Sequence, residues 1–119
     1  MALFGLAEKF AFPKPEGLIS FILEACTDHG DLILDSFLGS GTTAAVAQKM
    51  GRRYIGIEMG DHAVTHCVPR LRKVIGGEQG GISAGVGWQG GGGYRFFRLG
   101  PPVFDEDGHI RADISFPIL

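Results

Sequence analysis

Residues 31 to 43 read Asp31-Leu32-Ile33-Leu34-Asp35-Ser36-Phe37-Leu38-Gly39-Ser40-Gly41-Thr42-Thr43. A short apolar helix pattern follows, and then Gly51-Arg52-Arg53-Tyr54-Ile55-Gly56-Ile57-Glu58. The order is strand, glycine loop, helix, and a second strand that ends in a carboxylate. Leu32 to Leu34 is an apolar run expected to be buried, and Gly39 and Gly41 allow a tight turn and a close backbone approach to a ligand at a helix start. Glu58 stands about 20 residues beyond the loop, where a carboxylate can accept both hydroxyls of a ribose. A unit so built is expected to hold an adenosine-bearing cofactor.

Spacing alone leaves two cofactor classes open. Gly39-Ser40-Gly41-Thr42-Thr43-Ala44 fits the dinucleotide pattern G-x-G-x-x-G/A, so a nicotinamide or flavin oxidoreductase domain is one reading. A phosphate-cradling P-loop is excluded, because no lysine follows the glycines and the spacing is too short. What precedes the glycines favours the second class. Asp35-Ser36-Phe37-Leu38-Gly39-Ser40-Gly41-Thr42-Thr43 resembles the Asp-Pro-Phe-x-Gly-Ser-Gly-Thr-Thr loop of the amino-group (N6-adenine and N4-cytosine) DNA methyltransferases, which use S-adenosylmethionine. Ser36 stands where that family usually carries proline.

Two further stretches carry the same resemblance in the same order. Lys14-Pro15-Glu16-Gly17-Leu18-Ile19 resembles the Lys-Pro-x-x-Leu-Ile segment that, in those enzymes, borders the methionine end of the cofactor. Gly51 to Glu58 resembles their acidic second strand. The Lys-Pro segment is also an ordinary amphipathic helix, since Leu18, Ile19, Ile22, Leu23 and Cys26 recur at helical spacing after Pro15. Lys14 by itself would read as a solvated lysine.

With 119 residues, 45% of them hydrophobic, the chain can bury one modest core, so residues 1–119 are read as a single, truncated cofactor-binding domain. A net charge of -2 gives no basic field for holding a duplex. Arg52-Arg53, Arg70-Leu71-Arg72-Lys73, and Arg95 with Arg98 read as solvated clusters. Cys26 and Cys67 fall on apolar helix faces, and no leader or long apolar run is visible, which points to a reduced cytoplasmic setting without a disulfide or membrane. His62 and His66 are four apart beside Cys67, yet no third ligand has convincing spacing, and no metal site is assigned.

The expected elements are a helix over residues 15 to 27, a strand over 32 to 36, a helix over 42 to 50 capped by Gly51, and a strand over 54 to 58. A helical pattern from Ala63 to Ile75 must be kinked or restarted by Pro69. Phe4, Phe10 and Phe12 are expected to anchor an opening segment. Residues 76 to 93 hold ten glycines and read as a mobile loop. Tyr94 to Leu99 and Val103 to Ile110 suggest a third strand and a small hairpin. The fold class is therefore α/β: a partial Rossmann-like methyltransferase fold, with a short, mainly parallel sheet, helices on its faces and a C-terminal hairpin.

The resemblance also exposes an absence. Amino-group methyltransferases hold the flipped base with an Asn-Pro-Pro-Tyr-like tetrapeptide, or one that begins with Asp or Ser. The one Pro-Pro pair here, Pro101-Pro102, lies between Gly100 and Val103 and offers neither acceptor nor aromatic face. No catalytic residue is assigned. In the permuted subgroup whose catalytic half comes first, every matched motif belongs to the second half, and the apolar run Ala112 to Leu119 suggests an early stop. The stretch Gly90-Gly91-Gly92-Gly93-Tyr94-Arg95-Phe96-Phe97-Arg98-Leu99 resembles the type III restriction-modification adenine methyltransferases in particular.

The resemblance thus implies the S-adenosylmethionine-binding part of a DNA methyltransferase, inactive alone. Its DNA would be reached through the missing half, and a restriction subunit is a further partner. The bared edge of the glycine-loop strand suggests a homodimer or a complementing catalytic half. The cofactor residues carried over are Lys14, Pro15, Asp35, Phe37, Gly39, Ser40, Gly41, Thr42, Glu58 and Met59. Glu58 would hold the ribose, Asp35 would orient the loop or the methionine ammonium, and Met59 would pack on the adenine. A dinucleotide-binding oxidoreductase domain and a non-binding remnant are the alternatives.

Overall fold

A computed structural model describes residues 14–114. The expected anchoring by Phe4, Phe10 and Phe12 and the terminal apolar run beyond Ile114 lie outside the described residues.

The first helix, α1 (Glu16–Cys26), starts after Pro15, whose fixed φ of -63° delivers the chain in an extended conformation just ahead of the first turn. Glu16 puts an acid in that first turn, where the helix dipole favours it. Ile19 and Leu23, four apart, are buried with Glu16 on one stripe. Cys26 is exposed, contrary to its expected place on the apolar face. The helix stops at Thr27, whose amide and hydroxyl both return to the Leu23 carbonyl.

Strand β1 (Leu32–Asp35) pairs in parallel with β2 (Arg53–Gly56), with Ile33 opposite Tyr54 and Leu34 opposite Ile55. Parallel strands need a crossover, and α2 (Thr42–Lys49) supplies it. Ala44, Ala45, Val46 and Ala47 are all buried, and the three alanines let the helix backbone lie close to its neighbours. Ile19, Leu23, Ile33, Val46 and Ala47 form the core, with Met50, Tyr54 and Ile82 against it. Gly51 ends this stretch at φ +71°, a left-handed conformation that glycine takes without strain. Arg52 is not a solvated charge: its guanidinium donates to the carbonyls of Met50 and Thr27 and to the Thr27 hydroxyl.

The next helical stretch changes type. Ala63–Cys67 is a π-helical segment that runs straight into α3 (Val68–Ile75), with Pro69 in the first turn of the new helix. Pro69 has no N–H to donate, so an α-helix continued from Ala63 would lose a bond there; the wider turn ends just before it.

Several further expectations need correction. The glycine-rich segment is packed: it contains the short helix α4 (Ser83–Val86), Ser83 is fully buried, and Trp88 Nε1 donates to the Val74 carbonyl at 2.7 Å. Many of its glycines take left-handed φ values that let the chain fold back on α3, as where the Gly91 amide reaches the Ile75 carbonyl. Tyr94 to Leu99 forms no strand, and the hairpin reduces to a single antiparallel bridge between Phe104 and Ile110. Among the described residues the sheet has two strands and one covered face. Ile33 faces the helices, while Leu32, Leu34 and Ile55 on the other face are half or more exposed.

Candidate functional site

The glycine loop joins β1 to α2 at the C-terminal ends of both strands, the edge where open α/β sheets bind ligands. Its path is fixed by two acids. Asp35, the last residue of β1, accepts the Phe37 amide on Oδ1 at 3.0 Å and the Thr43 hydroxyl on Oδ2 at 2.7 Å. Glu58, just past β2, accepts the Gly39 amide on Oε2 at 2.9 Å. The Leu38 amide donates to the Ile57 carbonyl, so the loop is tied to the second strand by main chain as well. Gly39 and Gly41 have φ of +61° and +89°, the left-handed region in which a side chain is strained.

A strand-tip carboxylate at Glu58 has no structural purpose visible in the sequence, yet it anchors the loop. Its Oε1 is more lightly engaged, with the Gly60 amide at 3.5 Å and His62 Nδ1 at 4.0 Å. Two apolar side chains of this region, Phe37 in the loop and Met59 after Glu58, are exposed, at 87% and 100%. Lys14 and Pro15 are exposed, and the Lys14 carbonyl accepts the Thr42 hydroxyl at 3.3 Å, which brings the Lys-Pro segment against the loop. Ser40, Gly41 and Thr42 are buried beneath it. The ten residues singled out in the sequence therefore gather at one end of the sheet.

Several residues that support the loop escaped the sequence reading. Cys67 lies beneath it, with Sγ donating to the Gly39 carbonyl at 3.0 Å, and a Cβ on Gly41 would come within 3.3 Å of the Cys67 Cα. Burial first, then the Glu58 and Asp35 carboxylates against the opposing Arg70, push its thiol up to about 11. Arg70, taken from sequence as one of a solvated cluster, is buried; it donates from Nη1 to Thr42 Oγ1 at 2.8 Å and from Nη2 to Glu16 Oε2 at 2.9 Å. Glu16 Oε1 accepts Lys49 Nζ at 2.8 Å and the Ile82 amide at 3.2 Å. Burial works to raise the Glu16 carboxyl, but Lys49, Arg70 and the Ile82 amide outweigh it and hold it below its ordinary value. One signal was legible: Glu16 is in phase with Ile19 and Leu23, and Arg70 with Leu71 and Val74. A charge on an apolar stripe must find a buried partner.

The exposed trio Asp105, Asp107 and His109 comes together at the far turn, but Asp105 Oδ1 is taken by the amides of the other two. Both cysteines are free thiols, and among the described residues no helix is long and apolar enough to cross a membrane.

The parallel strands, the crossover helix and an acid-braced glycine loop at the strand ends make a small α/β unit compatible with a methyltransferase-like fold. The sequence profile of the DNA methylase family matches residues 4–68, more than half of the chain. The chain belongs to that family, the N6/N4 DNA methylases. Over 88 residues, 74% of this chain and 12% of the relative, it is 58% identical to a protein described as the probable type III restriction-modification enzyme HindVI Mod subunit of Haemophilus influenzae. It is 55% identical over 47 residues (40% of this chain, 18% of the relative) to the type II methyltransferase M1.MboII of Moraxella bovis. It is 54% identical over 52 residues (44% and 19%) to the type II methyltransferase M2.DpnII of Streptococcus pneumoniae. The chain thus spans less than a fifth of the length of each of these relatives.

Proposed function

We propose that this chain is the S-adenosylmethionine-binding portion of a DNA amino-methyltransferase of a restriction-modification system, acting on adenine N6. One observation carries the reading: both acids at the loop spend oxygens on its amides, Glu58 on Gly39 and Asp35 on Phe37. A dinucleotide pyrophosphate would need such amides and would meet two carboxylates in their place. A cofactor that bears a sulfonium and an ammonium, and no phosphate, suits the same acids. The residues fit that group: Glu58 Oε1 for the ribose hydroxyls, Met59 for the adenine, and the backbone from Phe37 through Gly39, Ser40 and Gly41 to Thr42 for the methionine and sugar region. Lys14 and Pro15 border the methionine end, and Asp35, with both oxygens engaged, orients the loop.

When bound, S-adenosylmethionine supplies a methyl already activated for displacement by an exocyclic amine. The chain's own part is alignment. Its loop is braced before any ligand arrives, so little ordering entropy is left to spend on binding. No residue here is assigned to hold the target base, and the portion is inactive without a complementing catalytic half, through which DNA and a restriction subunit would be engaged in the cytoplasm. Calorimetric titration with S-adenosylmethionine and S-adenosylhomocysteine, beside a reduced nicotinamide dinucleotide, tests the reading. Saturable binding of the first two alone is expected. Binding of the dinucleotide would reinstate the oxidoreductase alternative, and binding of none at millimolar ligand would leave a scaffold remnant.

A further inference from the structure

We propose that Arg70 is a positioning residue for the ligand loop, locking the seam between the Lys-Pro segment and the glycine loop by orienting the Thr42 hydroxyl. Thr42 has one hydroxyl proton. Because Arg70 Nη1 donates to Thr42 Oγ1 at 2.8 Å, that proton is released for the Lys14 carbonyl at 3.3 Å, with Ser40 Oγ also near at 3.4 Å. The guanidinium cannot swing away, since Nη2 is held at 2.9 Å by Glu16, itself pinned by Lys49 and by the Ile82 amide. The fork geometry matters: one planar group spans a carboxylate on α1 and a hydroxyl at the start of α2, which a lysine's single ammonium cannot do equally well.

Two walls of the proposed cofactor site are thereby held at a set separation from a residue that lies behind them. Lys49 also donates to the Gly80 carbonyl, so the glycine-rich segment braces the same unit from outside. The ligand part of this inference rests on the S-adenosylmethionine reading.

The test uses the full chain with R70M, R70K and T42V, and K49M as the control that removes a Glu16 partner without touching Thr42. Amide hydrogen exchange across residues 39 to 43, without ligand, and affinity for S-adenosylhomocysteine are both read. R70M and T42V are each expected to speed exchange in the loop and weaken affinity about ten-fold, with the double variant no worse than either, and R70K in between. K49M should lower the melting temperature but loosen the loop and weaken affinity clearly less than R70M, since Arg70 and the Ile82 amide still hold Glu16. Equal loosening by K49M and R70M would reduce Arg70 to a general stabiliser and overturn the proposal, as would additive effects of R70M and T42V. If R70M does not fold, T42V decides: it keeps Glu16 fully paired, and unchanged exchange and affinity in it overturn the proposal. If the wild type binds neither cofactor form, the S-adenosylmethionine reading falls with the ligand part, while the exchange pattern still upholds or overturns the seam.

Discussion

The Glu58 carboxylate accepts the Gly39 amide proton at 2.9 Å across 19 residues of sequence. The residue expected to receive a ribose thus also sets the shape of the loop that would receive the rest of the ligand. On the proposed reading two roles share one side chain, one per oxygen, and they can be separated. Glu58→Gln keeps an acceptor for the Gly39 amide and loses the charge; Glu58→Ala loses both. Glu58→Gln is expected to melt within about 0.5 kcal/mol of wild type, while Glu58→Ala loses about 1–2 kcal/mol. Both should weaken S-adenosylmethionine by roughly 1–3 kcal/mol in calorimetry. Equal stability of the two variants would show that the Gly39 contact contributes nothing.

Gly41 is predicted to resist substitution. At φ +89°, with the Cys67 Cα 3.3 Å from where a Cβ would stand, Gly41→Ala meets both backbone strain and crowding. A loss of about 1–3 kcal/mol is expected in denaturant titration. A neutral result would mean that the loop relaxes away from Cys67.

Acid should loosen the Glu16 centre. Its carboxyl is held below its ordinary value of 4.5, so the folded state binds that proton less readily than the unfolded chain. The stabilisation is complete above about pH 4.5 and is lost as pH falls through the lower folded value. Glu16→Gln, which leaves Lys49 and Arg70 without their anion, should cost about 3–5 kcal/mol at neutral pH, with the gap to wild type narrowing in acid. A gap that does not change between pH 7 and pH 3 would refute the linkage.

The two thiols should separate in reactivity. Cys26 is exposed, whereas Cys67 is buried with its thiol pushed up to about 11. At pH 8, alkylation followed by mass spectrometry should label Cys26 quickly and Cys67 only at the rate of local opening. Equal labelling rates would place Cys67 elsewhere than beneath the loop.

The open sheet face should be adhesive. Leu34 and Ile55, paired across the strands, are 62% and 50% exposed, and β1 has one unpaired edge among the described residues. Light scattering of the isolated chain is expected to show a dimer or larger species, reduced by Leu34→Glu with Ile55→Lys. A monodisperse monomer at high concentration would count against both self-association and the need for a covering half.

Local pattern was enough to place α1, β1, α2 and β2, because period and punctuation are short-range: Ile19 and Leu23 repeat at helical spacing, and Gly51 stops α2 with a φ that glycine takes without strain. Pro69 likewise announced a break that the chain makes by switching from a π-helical to an α-helical turn. The segment from Gly76 to Gly93 was illegible for the opposite reason. Its order comes from Trp88 reaching Val74, Lys49 reaching Gly80 and Glu16 reaching the Ile82 amide, contacts that composition cannot express. The strand expected over Tyr94 to Leu99 had apolar pattern but finds no neighbour to pair with among the described residues.

By itself the sequence determined the order of elements from α1 to β2 and the position of the glycine loop, since those follow from backbone freedom and periodicity. Only the tertiary structure decided that Glu58 braces Gly39, that Cys67 lies under the loop, and that Arg70 is buried between Glu16 and Thr42. Each of those depends on which charges and glycines meet across 19 to 54 residues of chain, and on how burial then forces them to pair.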